Sequence, residues 1–69
     1  MRVRLLSSSI CETMYHSANK ILEVIFHSGH VYRYSGVPSE IFDQFIAAES
    51  AGKFYNSQIK GKFNSMRWF

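Results

Sequence analysis

Sixty-nine residues, 46% apolar and 16% aromatic, make one small domain, because a chain this short buries only ~60% of its unfolded surface and has no room for a second core. The one cysteine, Cys11, excludes an internal disulfide, and eight Lys+Arg against five Asp+Glu leave a net charge of +3. That charge is uneven: residues 1–50 carry four cations against all five acids, net −1, whereas residues 51–69 carry Lys53, Lys60, Lys62 and Arg67 without an acid, net +4. The longest apolar run, Phe45 to Ala48, is far short of the ~18–20 residues of a membrane span. Three serines after Leu5-Leu6 also interrupt any leader-like stretch, which needs ~7–15 apolar residues. With a single thiol, these features predict a soluble, cytoplasmic protein with no membrane association.

In chain order, Ser8 to Tyr15, Lys20 to Phe26 and His30 to Tyr34 are rich in β-branched and aromatic residues and are separated by Ser17-Ala18-Asn19 and Ser28-Gly29. They predict a three-stranded antiparallel meander. A three-residue loop, His27-Ser28-Gly29, with Gly29 left-handed, pairs Phe26 with His30, Val24 with Tyr32 and Leu22 with Tyr34. This register gathers Leu22, Val24, Phe26, Tyr32 and Tyr34 on a core face and leaves Glu23, Ile25, Val31 and Arg33 on the other. Pro38 suits a first helical position, and Ile41, Phe42, Phe45 and Ala48 mark an amphipathic helix over Ser39 to Ser50, with Gly52 as its left-handed terminator. Phe54, Ile59 and Phe63 continue the apolar spacing into a shorter C-terminal helix limited by Gly61. The fold class is therefore α+β, one domain over residues 1–69, with the tail 64–69 unassigned.

Tyr32 and Tyr34 bear two readings. As a pair of rings on one strand face they form a stacking platform for unpaired bases, worth ~1–3 kcal/mol per base. As partners of Leu22 and Val24 they belong to the core, with each hydroxyl reaching a polar group; this second reading is favoured. The C-terminal third is similarly double. Lys53 and Lys60, seven apart and on one side if helical, and Lys62 and Arg67 interleave with Phe54, Tyr55, Phe63, Trp68 and Phe69, as sequence-tolerant single-strand binding requires. The plainer account, also favoured, is a solvated helix face over a core of Phe54, Ile59 and Phe63. Ser50 and Asn56 are read as capping or turn residues before ligand contacts.

Enzymatic readings find little support. Cys11 and His16 on one extended strand lie ~16 Å apart, too far for a nucleophile and its base. His16, His27 and His30 match no metal-ligand spacing, and no phosphate loop or acid pair is present, so neither a metal nor a cofactor is expected.

Read in order, Ser8-Ser9, Leu22-x-Val24-x-Phe26, Gly29-x-x-Tyr32-Arg33-Tyr34, Val37-Pro38, Ala48-x-Ser50-x-Gly52, Tyr55-Asn56 and Ile59-Lys60 resemble the KTSC domain family over about residues 7–63. That family is named for a domain at the C-terminus of some lysyl-tRNA synthetases and also occurs as small stand-alone proteins, with Tyr-x-Tyr as its hallmark. The resemblance implies a small α+β domain without catalytic residues, for which RNA binding is suggested by the synthetase association. Together with the basic C-terminal third, it makes RNA or single-stranded nucleic acid the expected partner, met by Arg33, Lys53, Lys60 and Lys62 with Tyr32, Tyr34 and Tyr55. The alternative is a protein-interaction or self-association module, supported by Trp68-Phe69 and by Ile25 and Val31.

Overall fold

In the computed structural model, which describes residues 1–69, the predicted meander is the centre of a larger sheet. The strands are β1 (Arg2–Arg4), β2 (Ile10–His16), β3 (Ile21–Phe26), β4 (Val31–Ser35) and β5 (Asn64–Arg67), antiparallel throughout in the order β1-β2-β3-β4-β5. The expected β3–β4 register holds: Leu22 pairs with Tyr34 and Val24 with Tyr32. Phe26 N–H donates to the His30 carbonyl at 2.9 Å, and Gly29 takes φ +96°, a conformation that other residues reach only at a steric cost. Lys20 is not in the third strand but in the turn before it, itself left-handed at φ 55°.

The count of three strands is corrected to five. β1 and the Leu5 that follows it alternate, Val3 and Leu5 inward against Arg2 and Arg4 outward, a short signal that the three-strand expectation left out, whereas β5 is exposed at every residue and carries no such alternation. Backbone pairing completes both. Val3 pairs with Thr13, and Ser65 with Tyr34, so that β4 is shielded from the sheet edge by the last residues of the chain. The Trp68 N–H extends this pairing to the Val31 carbonyl at 2.7 Å.

Helix α1 (Ser39–Ala47) starts one residue later than Pro38, which stands outside it in extended conformation at ψ 153°. It stops three residues short of Ser50. Ala48 leaves the helix as extended backbone at ψ 141°, and the Ser50 side chain accepts the Lys53 N–H at 3.3 Å to cap a new helix, α2 (Ala51–Phe54). Gly52 therefore does not terminate a helix; it lies within α2, where a β-carbon would stand 3.6 Å from the Ser9 hydroxyl. From Tyr55 to Ile59 the helix widens into a π turn, closed by the Lys60 N–H on the Tyr55 carbonyl at 2.8 Å. Gly61, at φ +75°, turns the chain away from it, as expected.

Both helical segments cover the same face of the sheet. The core joins Ile10, Tyr15, Leu22, Val24 and Tyr34 from the strands to Val37, Phe42, Phe45, Ala51, Tyr55 and Ile59. Two phenols are satisfied within it. Tyr15 stacks on Phe42 at 5.0 Å and donates its hydroxyl to the Val37 carbonyl at 2.6 Å, and the hydroxyls of Tyr34 and Tyr55 share a hydrogen bond. Burial and the neighbouring Tyr55 hydroxyl push the Tyr34 phenol well above its ordinary value.

Two outcomes follow for stability. The folded chain keeps the Tyr34 proton where the unfolded chain releases it, so this contribution is complete below pH ~10 and is lost as the pH rises above that. Tyr34→Phe removes this component, and urea unfolding from pH 8 upward is expected to show a shallower alkaline decline from a lower neutral stability. Truncation after Phe63 leaves β4 as an exposed edge; its urea midpoint is expected to fall, whereas a dispensable tail would leave it unchanged.

Candidate functional site

Strands alternate, so Tyr32 and Tyr34 point toward the helices while Arg33 points away. On the helix side, the β3–β4 hairpin, β5 and the π turn enclose an open groove of about 500 Å³. Its walls include Tyr32, Phe26, His30, Asn56, Lys60 and Ser65, and no residue lining it is acidic. The π turn has two sides. Tyr55 and Ile59 are buried, while their sequence neighbours Asn56 and Lys60 are exposed at the groove.

Of the predicted site residues, the fold brings together Tyr32, Tyr34, Tyr55 and Lys60. They are not equivalent. Tyr34 and Tyr55 touch the groove but are 2% and 8% exposed and spend their hydroxyls on each other, so the core reading holds for Tyr34, and Tyr55, expected only at the binding surface, joins it in the core. Tyr32 is half-buried, packed edge-to-face against Phe26 with the ring planes at 85°. Lys53 and Lys62 are exposed but lie outside the groove. The seven-residue spacing of Lys53 and Lys60 assumed one continuous α-helix, and the π turn between them breaks that register.

Arg33 belongs to the opposite sheet face. Its Nη2 donates to Glu23 Oε2 at 3.0 Å, and its guanidinium carbon sits 4.0 Å above the centre of the Trp68 ring. Glu23, only 8% exposed, also meets His16 Nε2 at 3.1 Å. Arg33 is thus committed to an internal ion pair and an aromatic stack, and the four predicted cations do not share one surface.

The cation that replaces it is Arg67. Pairing of β5 with β4 sets Arg67 opposite Tyr32 on the groove side, where its Nη2 lies 2.9 Å from His30 Nδ1. A guanidinium only donates, so Nδ1 is the acceptor in this hydrogen bond. Arg67 is held by His30 and forms no ion pair with a carboxylate, so its charge stands uncompensated beside the groove. Sequence reading missed this pair because it depends on β5, which has no periodic signal; the acid-free C-terminal third was the only trace of it. The three histidines serve separately: His16 meets Glu23, His27 donates to the Ser7 carbonyl at 3.0 Å, and His30 holds Arg67. No helix is long and apolar enough to cross a membrane.

A protein of Tsukamurella paurometabola is 42% identical to this chain over 60 residues, 87% of this chain and 90% of its own length. A segment of the lysine–tRNA ligase of Trichormus variabilis is 39% identical over 56 residues, 81% of this chain but 10% of the ligase. The crystal structure of a KTSC domain protein from Yersinia pestis superposes with a TM-score of 0.92 at 36% identity, covering 97% of this chain and 94% of that one. With the KTSC domain model matching residues 6–63, on top of the Tyr-Arg-Tyr strand and the helices that cover it, the chain belongs to the KTSC domain family.

Proposed function

We propose that this chain is a non-enzymatic module that binds single-stranded nucleic acid, RNA in particular, in the groove between the β3–β4 hairpin, β5 and the π turn. The observation that carries this reading is the absence of any acid around a groove that pairs a half-exposed aromatic ring, Tyr32, with Lys60 and the uncompensated Arg67. Phosphates supply the missing negative charge and bases the stacking partner. The similar segment in a lysine–tRNA ligase adds weight to RNA. Lys53 and Lys62 contribute to the surrounding field without contact, and Arg33 takes no part. The second reading, association with a protein or another copy, is favoured by Met66, Trp68 and Phe69, which are 62%, 57% and 78% exposed along the open edge of the sheet.

A labelled single-stranded RNA titrated at 50 and 200 mM salt is expected to bind more tightly at the lower salt. Lys60→Gln should lower the salt slope by about 0.7, the value of one phosphate on a single strand, while Lys53→Gln changes it much less. Lack of binding at both salt concentrations, or equal effects of the two lysines, overturns this assignment. Sedimentation of the free chain separates the second reading, which requires a concentration-dependent dimer that Trp68→Ser weakens.

A further inference from the structure

The groove is small and offers a base one corner between two rings. Its volume of about 500 Å³ lies in the range of ~300–1,000 Å³ typical of pockets for single small molecules. Phe26 and Tyr32 meet at 85° with their centroids 5.9 Å apart, which makes a corner and not two parallel platforms. A planar base stacked on one of these rings abuts the edge of the other, so a second base has no place beside the first. Of the other rings at the groove, Tyr34 and Tyr55 are sealed into the core, and the His30 imidazole is engaged at Nδ1 by Arg67. Lys60, directly after the π turn, is the one Lys or Arg that lines the groove, and Arg67 on β5 stands beside it against the lining residue His30; the neutral ligand partners are hydroxyl and amide groups: Ser9, Ser28, Asn56 and Ser65.

From this we infer that the groove is a site for one nucleotide, a strand end or a single unstacked residue, with its base in the Tyr32–Phe26 corner and its phosphate between Lys60 and Arg67. This rests on the nucleic-acid reading and narrows it. Strand-tracking proteins line up successive rings and a row of cations, whereas here Lys53 and Lys62 do not line the groove and Arg33 is paired with Glu23 on the opposite sheet face. The ribose and the base edge meet the hydroxyl and amide groups, which donate as well as accept and so suit a 2′-hydroxyl.

Backbone amide NMR of the full chain tests this with uridine, uridine 5′-monophosphate, a uridine dinucleotide carrying a 5′-phosphate, and a six-residue oligouridylate at equal salt. The expected result is movement of the Tyr32, His30, Asn56, Lys60 and Ser65 amides by the monophosphate, with uridine at least about tenfold weaker because it lacks the charge the two cations engage. The dinucleotide and hexamer should then bind within a few-fold of each other, with a salt slope no steeper than about −1.4, the value for two neutralised phosphates. Arg67→Gln, folded by circular dichroism, should weaken the monophosphate more than uridine. A hexamer that moves the same amides but binds a hundredfold more tightly than the dinucleotide, with a slope steeper than about −3, overturns the one-nucleotide site and leaves the nucleic-acid reading standing. If none of the four ligands moves these amides, both fall.

Discussion

The hydrogen bond between the Tyr34 and Tyr55 hydroxyls joins β4 to the π turn at a point where both side chains are buried. A buried phenol without a partner costs about 1–3 kcal/mol, so two phenols entering one core from opposite sides are most stable facing each other. That pairing decides where the second helix lies. With Tyr55 drawn onto β4, Ala51 and Ile59 on the same helix pack into the core, and Asn56 and Lys60 are left at the side. The groove is the space between this helix and the hairpin, so a packing requirement of two tyrosines shapes the acid-free hollow beside the half-buried Tyr32 ring.

A second constraint is that the sheet is covered on one face alone. The open face meets water with a polar network: Arg2 pairs with Glu12 at 3.1 Å, and Glu23 gathers His16 and Arg33, with Trp68 closing over the guanidinium. Glu23 is buried there by its own partners, and its charge is balanced by Arg33. Adjacent residues in the Tyr-Arg-Tyr strand thus serve separate purposes, because a one-residue step along a strand reverses the face. The net +4 of the last nineteen residues is divided in the same way, with Lys60 and Arg67 at the groove and Lys53 and Lys62 around it.

Much of the centre of the fold was legible before the structure. Alternation over Ile21–Phe26 and Val31–Ser35, with Gly29 between them, set both the hairpin and its register, since only one register places Leu22, Val24 and Tyr34 together. Phe42 and Phe45 at helical spacing marked the inward face of α1, and Gly61 marked the end of the second helix. The candidate site was legible in part: the tyrosines and Lys60 were singled out, but as one group with Arg33 and Lys53. Their separation depends on side-chain direction and on a π turn, neither of which residue spacing encodes.

Local patterns therefore determined the α+β class, the central hairpin and the acid-free character of the C-terminal third, because these depend on periodicity and composition within a few residues. Tertiary structure alone decided that Asn64–Arg67 is a strand, that the helix breaks at Ala48 and that His30 meets Arg67. This edge strand gains its conformation from backbone hydrogen bonds to a neighbour distant in sequence, and those bonds are indifferent to side-chain identity. The helix break answers to the position of the core that Ala51, Tyr55 and Ile59 must reach. A local pattern cannot announce a partner that arrives 37 residues later, as Arg67 does for His30.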